Sequence, residues 1–387
     1  MANLVWDSLQ SLFRRLGRPA PTAAKPAQAT GAPASLTPTA ALDAFLALLR
    51  AKISHYLEAR HDKLEQEDHL RHIAARARWL YATEQQRATP NTESILTARD
   101  TDLIEACVLS HDMGKWIPRD ELHALFDEDQ AQHEPVFHEL NFSPNQTELF
   151  LLGIRRRFNL PKDGYTPEYD AAHHLVSAYI LATDPSLRFH TLATEDQAQL
   201  LRMIIGHQFG SYFKGSLLNL SLHDPEVTTG MLVDSARSDR LTGDLLSSVF
   251  HDADISDLLF VGSIENLSEG QEEFHSGGLV KILMINFANL IHQAPYAPTT
   301  LKECLESCQS TVNHACKEFL TPTAVECGRV WREEARGFLE YLQSDFVNEA
   351  INPVLMAQTD TARERIGRVR SLIYSYAQNY LKESQGN

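Results

Sequence analysis

An all-α fold is what this 387-residue sequence predicts, and three features carry the prediction. Apolar residues recur at three- and four-residue spacing through Ala41 to Ala59, Asp68 to Thr83, Thr101 to Ser110, Asp170 to Thr183, Glu195 to Gly206 and Leu279 to His292, which is the period of a helix with one buried face. Alternating runs of β-branched residues are scarce, so little of the chain reads as half-buried strand. The periodicity is interrupted at Ala88 to Asn91, Asn159 to Pro167 and Ala294 to Thr299, where Pro, Asn and Gly mark loops. A hydrophobic content of 43% over this length is enough to build a sizeable core.

The elements follow in order. Residues 1–18 form an amphipathic N-terminal helix, with Val5, Leu9, Leu12, Phe13 and Leu16 at helical spacing beside Arg14 and Arg15. Such a short helix binds lipid weakly without a second anchor, so a protein partner or self-docking is the expected role. Residues 19–40 are a linker: 13 of the 22 are Ala or Pro, a composition that extends rather than packs. A helical body occupies residues 41–299. Residues 300–387 are a further helical region with a break at Pro353.

Charge narrows the function classes. The chain carries 35 Lys plus Arg against 51 Asp plus Glu, a formal net charge of −16. The first sixty residues hold seven basic and three acidic groups, so the acidity belongs to the body. A surface of that sign repels a nucleic-acid backbone, and general nucleic-acid binding is not expected. No stretch has the length of apolar sequence needed for a transmembrane segment, and the N-terminus lacks a signal-peptide pattern, so a soluble cytoplasmic protein is expected. The five cysteines, Cys107, Cys304, Cys308, Cys316 and Cys327, read as free thiols. Four of them lie near His314, but the spacing is not that of paired zinc knuckles and the pattern is helical, so they read as small buried hydrophobes.

Seventeen histidines are available for chemistry. One adjacent pair, His111 and Asp112 in LIEACVLSHDMGKW, ends an apolar helix, with Gly114 where helices commonly stop. Histidine-aspartate pairs also occur at His61, His223 and His251, so context must decide. The context resembles the HD superfamily of metal-dependent phosphohydrolases. An early histidine comes from EDHLRHIAARARWL, where His69 or His72 fits and His69 has the better offset to Ile73 and Ala77. LSHDMGKW supplies His111, Asp112 and Lys115. FHDADISDLL supplies the late aspartate, with Asp254 followed by Asp257 a better match than Asp252. Between them lie His173, with His174 as its neighbouring alternative ahead of Ser177 and Ala178, and His207 at the end of LLRMIIGHQFG.

The resemblance covers roughly residues 41 to 267 and implies an HD-domain helical bundle. It also implies metal ligands at His69, His111, Asp112, His173, His207 and Asp254. The order with both additional histidines implies two divalent transition metal ions, with Asp112 between them. Imidazole and carboxylate donors suit Mn, Fe, Co, Ni or Zn without choosing among them. The implied reaction is hydrolysis of a phosphoester in a nucleotide or similar small phosphorylated compound by a metal-activated water. In that reaction Asp112 and Lys115 are the catalytic candidates, and Lys115 also serves as a phosphate contact. Asp163, Gly164, Tyr165 and Thr166 depart from the Gly-Tyr-Pro signature of the cyclic-dinucleotide phosphodiesterases in that superfamily. Arg155, Arg156 and Arg157 with Lys162 form a basic run read first as solvated surface. Arg156 and Arg157 are the substrate-binding candidates within it, because guanidinium donors match phosphate oxygens. Two alternatives stand beside hydrolysis: a di-iron oxygenase on the same fold, and a non-catalytic sensory or scaffold module recruited through the N-terminal helix.

Overall fold

The computed structural model describes residues 38–58, 60, 62–89, 96–126, 130–159, 167–207, 244–266, 272–293, 298–315, 317–343, 345–357 and 361–385. The N-terminal helix, nearly all of the linker, Cys316, Lys162 and the Asp163 to Thr166 segment lie outside the described residues.

The all-α class is what the chain adopts. In chain order the helices of the body are α1 (Pro38–Glu58), α2 (Lys63–Ala88), α3 (Ala98–Ser110), α4 (Met113–Trp116), α5 (Arg119–Leu125), α6 (Gln130–Glu139), α7 (Pro144–Asn159), α8 (Pro167–Thr183), α9 (Thr194–Gly206), α10 (Leu245–Asp257) and α11 (Gly278–His292). Each helical stretch expected from periodicity falls within one of them or within a residue of its end. The exception to the class is a two-stranded antiparallel hairpin, β1 (Gly262–Asn266) and β2 (Glu272–Ser276), with Ile264 opposite Phe274. Its strands are short and mostly polar, so they carry no alternating apolar signal.

Local chemistry explains several ends. Thr97 caps α3 by accepting from the Asp100 N–H at 3.1 Å, and Asp244 caps α10 by accepting from the Leu246 N–H at 3.1 Å. Leu103, Ile104, Ala106, Cys107 and Val108 bury α3 in the core. Helix α10 is buried on nearly every side, from Leu246 through Val249, Phe250 and Ala253 to Ile255, which makes it a central helix rather than a surface one.

Beyond α11 come α12 (Leu301–Ala315), α13 (Pro322–Leu342), α14 (Asp345–Met356) and α15 (Ala362–Gln385). Pro353 does not break the chain as expected; α14 runs through it, since one missing N–H removes one helical bond while the flanking turns remain. Helix α13 has Thr321 as N-cap and Pro322 in its first turn. Its N-terminal amides are taken up by the body: Asp252 accepts from the N–H groups of Leu320 at 2.8 Å and Thr321 at 2.7 Å, and Glu84 accepts from Thr323 N–H at 2.7 Å. Helix α15 returns to α2 through an ion pair between Arg370 and the buried Glu65, and to the hairpin through Tyr374, which packs on Phe274. No helix is long and apolar enough to cross a membrane among the described residues.

Gly114 has a different role from the helix stop expected of it. Helix α3 ends at Ser110 with His111 as its cap, and Gly114 lies inside α4. A Cβ there would stand 2.4 Å from the His173 carbonyl oxygen and 3.0 Å from Val176 Cβ, so the missing side chain is what lets α4 lie against α8. Ser177 joins the same contact. It accepts from the Gly114 N–H at 2.8 Å and donates to the His111 carbonyl at 2.7 Å. The Tyr169 hydroxyl donates to the Gly114 carbonyl. Gly114→Ala is therefore expected to lower unfolding free energy by about 1 to 3 kcal/mol, the usual range for overpacking, in urea denaturation followed by circular dichroism. An unchanged midpoint would refute the close-approach role.

Candidate metal centre

Five helices deliver the six residues picked out by sequence to one place. His69 comes from α2, His111 and Asp112 from the turn after α3, His173 from α8, His207 from the cap of α9, and Asp254 from α10. All are buried except Asp254, which keeps about a fifth of its side chain exposed.

Each histidine has one nitrogen committed away from the centre. His111 Nδ1 lies 2.8 Å from the Val108 carbonyl, His207 Nδ1 2.5 Å from the Ile204 carbonyl, and His173 Nδ1 faces the Asp170 carbonyl. In all three the acceptor is three residues earlier. For His111 and His207 this is the natural use of a helix end, where the last carbonyls lack intrahelical partners. His69 Nδ1 lies 2.7 Å from Asp257 Oδ2. Carbonyl and carboxylate oxygens only accept, so Nδ1 carries the proton in every ring and Nε2 presents a lone pair.

Those lone pairs converge. His69 Nε2 is 3.6 Å and His111 Nε2 is 3.8 Å from Asp254 Oδ1. His111 Nε2 is 3.7 Å from Asp112 Oδ2. On the other side of the same carboxylate, His173 Nε2 is 3.2 Å and His207 Nε2 is 4.0 Å from Asp112 Oδ1. The donor atoms fall into two groups, His69 with His111 and Asp254, and His111 with Asp112 and His207. Bonds of about 2.1 Å to one ion set neighbouring donors about 3.0 Å apart at right angles and about 4.2 Å apart when opposed, and the observed spacings lie in that interval. The most telling contact is His173 Nε2 to His207 Nε2, at 3.1 Å. With both Nδ1 positions protonated, two acceptors face each other there, an arrangement that a shared cation or an added proton makes favourable. His111 Nε2 is buried without a hydrogen-bond partner, as a lone pair that suits a cation would be. The residues present therefore fit a divalent transition metal.

Electrostatics agree with that fit. Burial is the largest influence on the histidines: it lowers His69 and His173, pushes His111 down to about 3 and holds His207 well below its ordinary value. All four are thus neutral ligands near pH 7. Burial opposes the charge on Asp112, but Lys115, His111 and His173 outweigh it and hold the carboxyl well below the usual range. Asp254 goes the other way, raised to about 7 by burial and then by the charge of Asp112. Lys115 Nζ is 2.9 Å from Asp112 Oδ1. Burial disfavours its ammonium, yet Asp112, Asp170 and Asp254 raise its pKa overall.

The neighbouring candidates His72, His174 and Asp252 are buried as well. His72 stands edge-on to the Phe260 ring at 4.8 Å, with Nδ1 3.6 Å from Asp257 Oδ1. His174 is buried beside His173 and His207, its ring 6.2 Å from that of His207. Asp252 faces the N-terminus of α13. Arg155 is exposed and Arg156 half-buried, while the Arg157 guanidinium lies 5.9 Å from the ring of Tyr169, the residue bonded to Gly114. Cys304 and Cys308 are buried against Asn286, whose Nδ2 donates to Cys308 Sγ at 3.2 Å, and burial pushes both thiols up to about 12. His314 Nδ1 is bonded to the Ser310 carbonyl at 2.7 Å. Sequence reasoning assigned no role to Ser177 or to Lys281, a lysine of α11 lying in the field of Asp112, Asp257 and Asp254. No signal near His111 points to either. Asp257 was noted only as part of a pattern; here it orients His69. Burial opposes its charge, and the hydrogen bond from His69 with the nearby His72 ring holds it ionised.

No protein-family model, curated protein or solved structure matches the chain.

Two outcomes follow from the geometry. Asp257→Asn replaces the charged acceptor that fixes the His69 tautomer with an amide able to turn an N–H toward Nδ1, and is expected to weaken metal binding by about 10- to 100-fold in isothermal titration with Mn(II) or Zn(II); an unaltered affinity would leave Asp257 with no orienting role. Asp254 gives a pH dependence. Its pKa is raised on folding, so its contribution to stability is present in acid and is lost as pH rises through about 7. In metal-free protein at pH 8, Asp254→Asn is thus expected to raise the melting temperature by about 2 to 4 °C while metal binding falls, with the stabilisation absent at pH 4. A lower melting temperature at pH 8 would contradict the assigned electrostatics.

Proposed function

We propose that the chain is a metal-dependent phosphohydrolase of the HD type, cleaving a phosphoester of a nucleotide or similar small phosphorylated compound. The observation that carries this reading is the pair of facing Nε2 atoms of His173 and His207, 3.1 Å apart beside Asp112. A second donor group, His111 with Asp112 and His207, adjoins the one formed by His69, His111 and Asp254. His69, His111, Asp112 and Asp254 would hold one divalent ion, and Asp112, His173 and His207 a second. A metal held there supplies Lewis acidity toward a phosphoryl oxygen and acidifies a water toward neutral pKa.

The chain's own groups account for the rest. Lys115 keeps more than a quarter of its side chain exposed and Asp254 a fifth, whereas the histidines around them are closed off. The approach of substrate is therefore assigned to the side where these two residues lie. Lys115 offers a point charge to a phosphate oxygen while paired to Asp112. Arg157, held against Tyr169, and Arg156 beside it are candidates for outer phosphate contacts. The buried walls of Phe250 and Trp116, whose rings approach His111 edge-on, exclude bulk water and strengthen each charge interaction inside.

The test is direct. Protein loaded with Mn(II) is screened against nucleoside monophosphates, triphosphates and cyclic dinucleotides, with phosphate or nucleotide release as the readout. At least one class is expected to be hydrolysed, and Asp112→Asn is expected to lower kcat by about a thousandfold or more, the several kcal/mol that a correctly held metal provides. Metal-replete protein that is silent across the panel would overturn the reading. Two irons per chain with substrate-dependent oxygen consumption would move it to oxidation.

A further inference from the structure

Lys281 is a cation near the candidate metal centre that neither the ligand pattern nor the basic run accounts for. It lies in the first turn of α11, three residues after Gly278 and so on the same face. That face is pressed on the centre's supporting carboxylate: a Cβ at Gly278 would stand 2.6 Å from Asp257 Oδ2 and from the Asp257 carbonyl oxygen. Lys281 Nζ is 3.4 Å from Gln66 Oε1, and Gln66 is one turn ahead of His69 on α2. No carboxylate lies within 4.0 Å of the Lys281 ammonium among the described residues. It nonetheless sits in the field of Asp112, Asp257, Asp254 and Lys115. Half-buried and held by a single long hydrogen bond, the charge lacks the ion pair that usually accompanies such burial.

Lys115 is the complement. It is ion-paired to Asp112 at 2.9 Å, on the oxygen that faces His173 and His207. Lys281 lies on the other side, beside the His69 and Asp257 pair. The two ammonium groups thus bracket the donor cluster from separate helices. Each ammonium therefore stands at a different donor group, so that two anionic groups on one molecule can each meet one of them.

Resting on the phosphohydrolase reading, we propose that Lys281 is a second anion-anchoring residue which, with Lys115, selects a compound bearing two separated phosphate groups over a phosphomonoester. Full-length protein loaded with Mn(II) is titrated calorimetrically with adenosine 3′,5′-bisphosphate and with adenosine 5′-monophosphate, as wild type, Lys281→Met and Lys281→Arg. Wild type is expected to prefer the bisphosphate. Lys281→Met is expected to weaken bisphosphate binding about tenfold, the scale of one charge-assisted contact, and monophosphate binding less than about twofold, while Lys281→Arg keeps most of the preference. Metal content and melting temperature, measured on the same samples, exclude loss of fold as the cause. An unchanged preference in Lys281→Met, or an equal loss for both nucleotides, overturns this inference alone. Wild-type protein that holds Mn(II) but binds neither nucleotide also overturns this inference, while the phosphohydrolase reading stands or falls on the hydrolysis panel.

Discussion

Everything in the site is arranged around a charge that the fold has taken out of water, the carboxylate of Asp112. A buried carboxylate is tolerated when its surroundings replace the solvation it has lost. Here the Lys115 ammonium does so at Oδ1, while the Nε2 lone pairs of His111 on one side and of His173 and His207 on the other would join it only through a shared cation or proton. Those partners come from different helices, so the placement of Asp112 constrains how α3, α4, α8 and α9 meet. The close contact of α4 with α8 at Gly114 and the Ser177 hydroxyl between them hold that meeting point. Two helices, α3 and α9, also end at the site with His111 and His207 as caps. The negative ends of their dipoles add to the preference for a cation there.

The segment HDADISD shows how one helix serves three purposes through position alone. Asp252 and Asp254 are two residues apart, about 200° around a helix, and so point to nearly opposite sides. Asp252 turns outward to the amides of Leu320 and Thr321 and ties α10 to α13, while Asp254 turns inward to His69 and His111. Asp257, three residues further on, returns to the inner side and accepts from His69. The C-terminal helices are thus mechanically joined to the ligand helices: α13 holds α10 through Asp252, and α15 holds α2 through the Arg370 pair with Glu65.

This explains what could be read in the sequence and what could not. Helical class and the position of most helices were legible because burial with a 3.6-residue period is a local property, plain in α1, α3, α9 and α11. The six residues that converge were legible as types in order, each beside an apolar run that anchors its helix. Choosing between Asp252 and Asp254 was a matter of pattern, since the partner that claims Asp252 is 68 residues away in sequence. The hairpin was missed because GSIEN and EEFHS are short, mostly polar and do not alternate apolar with polar residues. Lys281 was missed for a stronger reason. It sits beyond that hairpin, and nothing in its surrounding sequence, GGLVKILM, distinguishes a lysine that faces the centre from one that faces solvent.

The arrangement of donor atoms also carries an energetic consequence. Lone pairs on His173 and His207 oppose each other, Asp254 is pushed toward its neutral form, and Asp112 draws on Lys115. Each of these is a cost that a divalent cation removes at once, by accepting the lone pairs and neutralising the carboxylates. Binding of such an ion to the folded but not the unfolded chain adds to stability in proportion to the logarithm of its saturation. The residues that would hold the metal are therefore poor contributors to stability in its absence. Their packing is preserved by groups that take no part in binding: Ser177, Gly114, Asp252 and the helices that return from the C-terminal region. An ion bound there would meet imidazoles already ordered by Val108, Asp170, Ile204 and Asp257, the four acceptors that fix them.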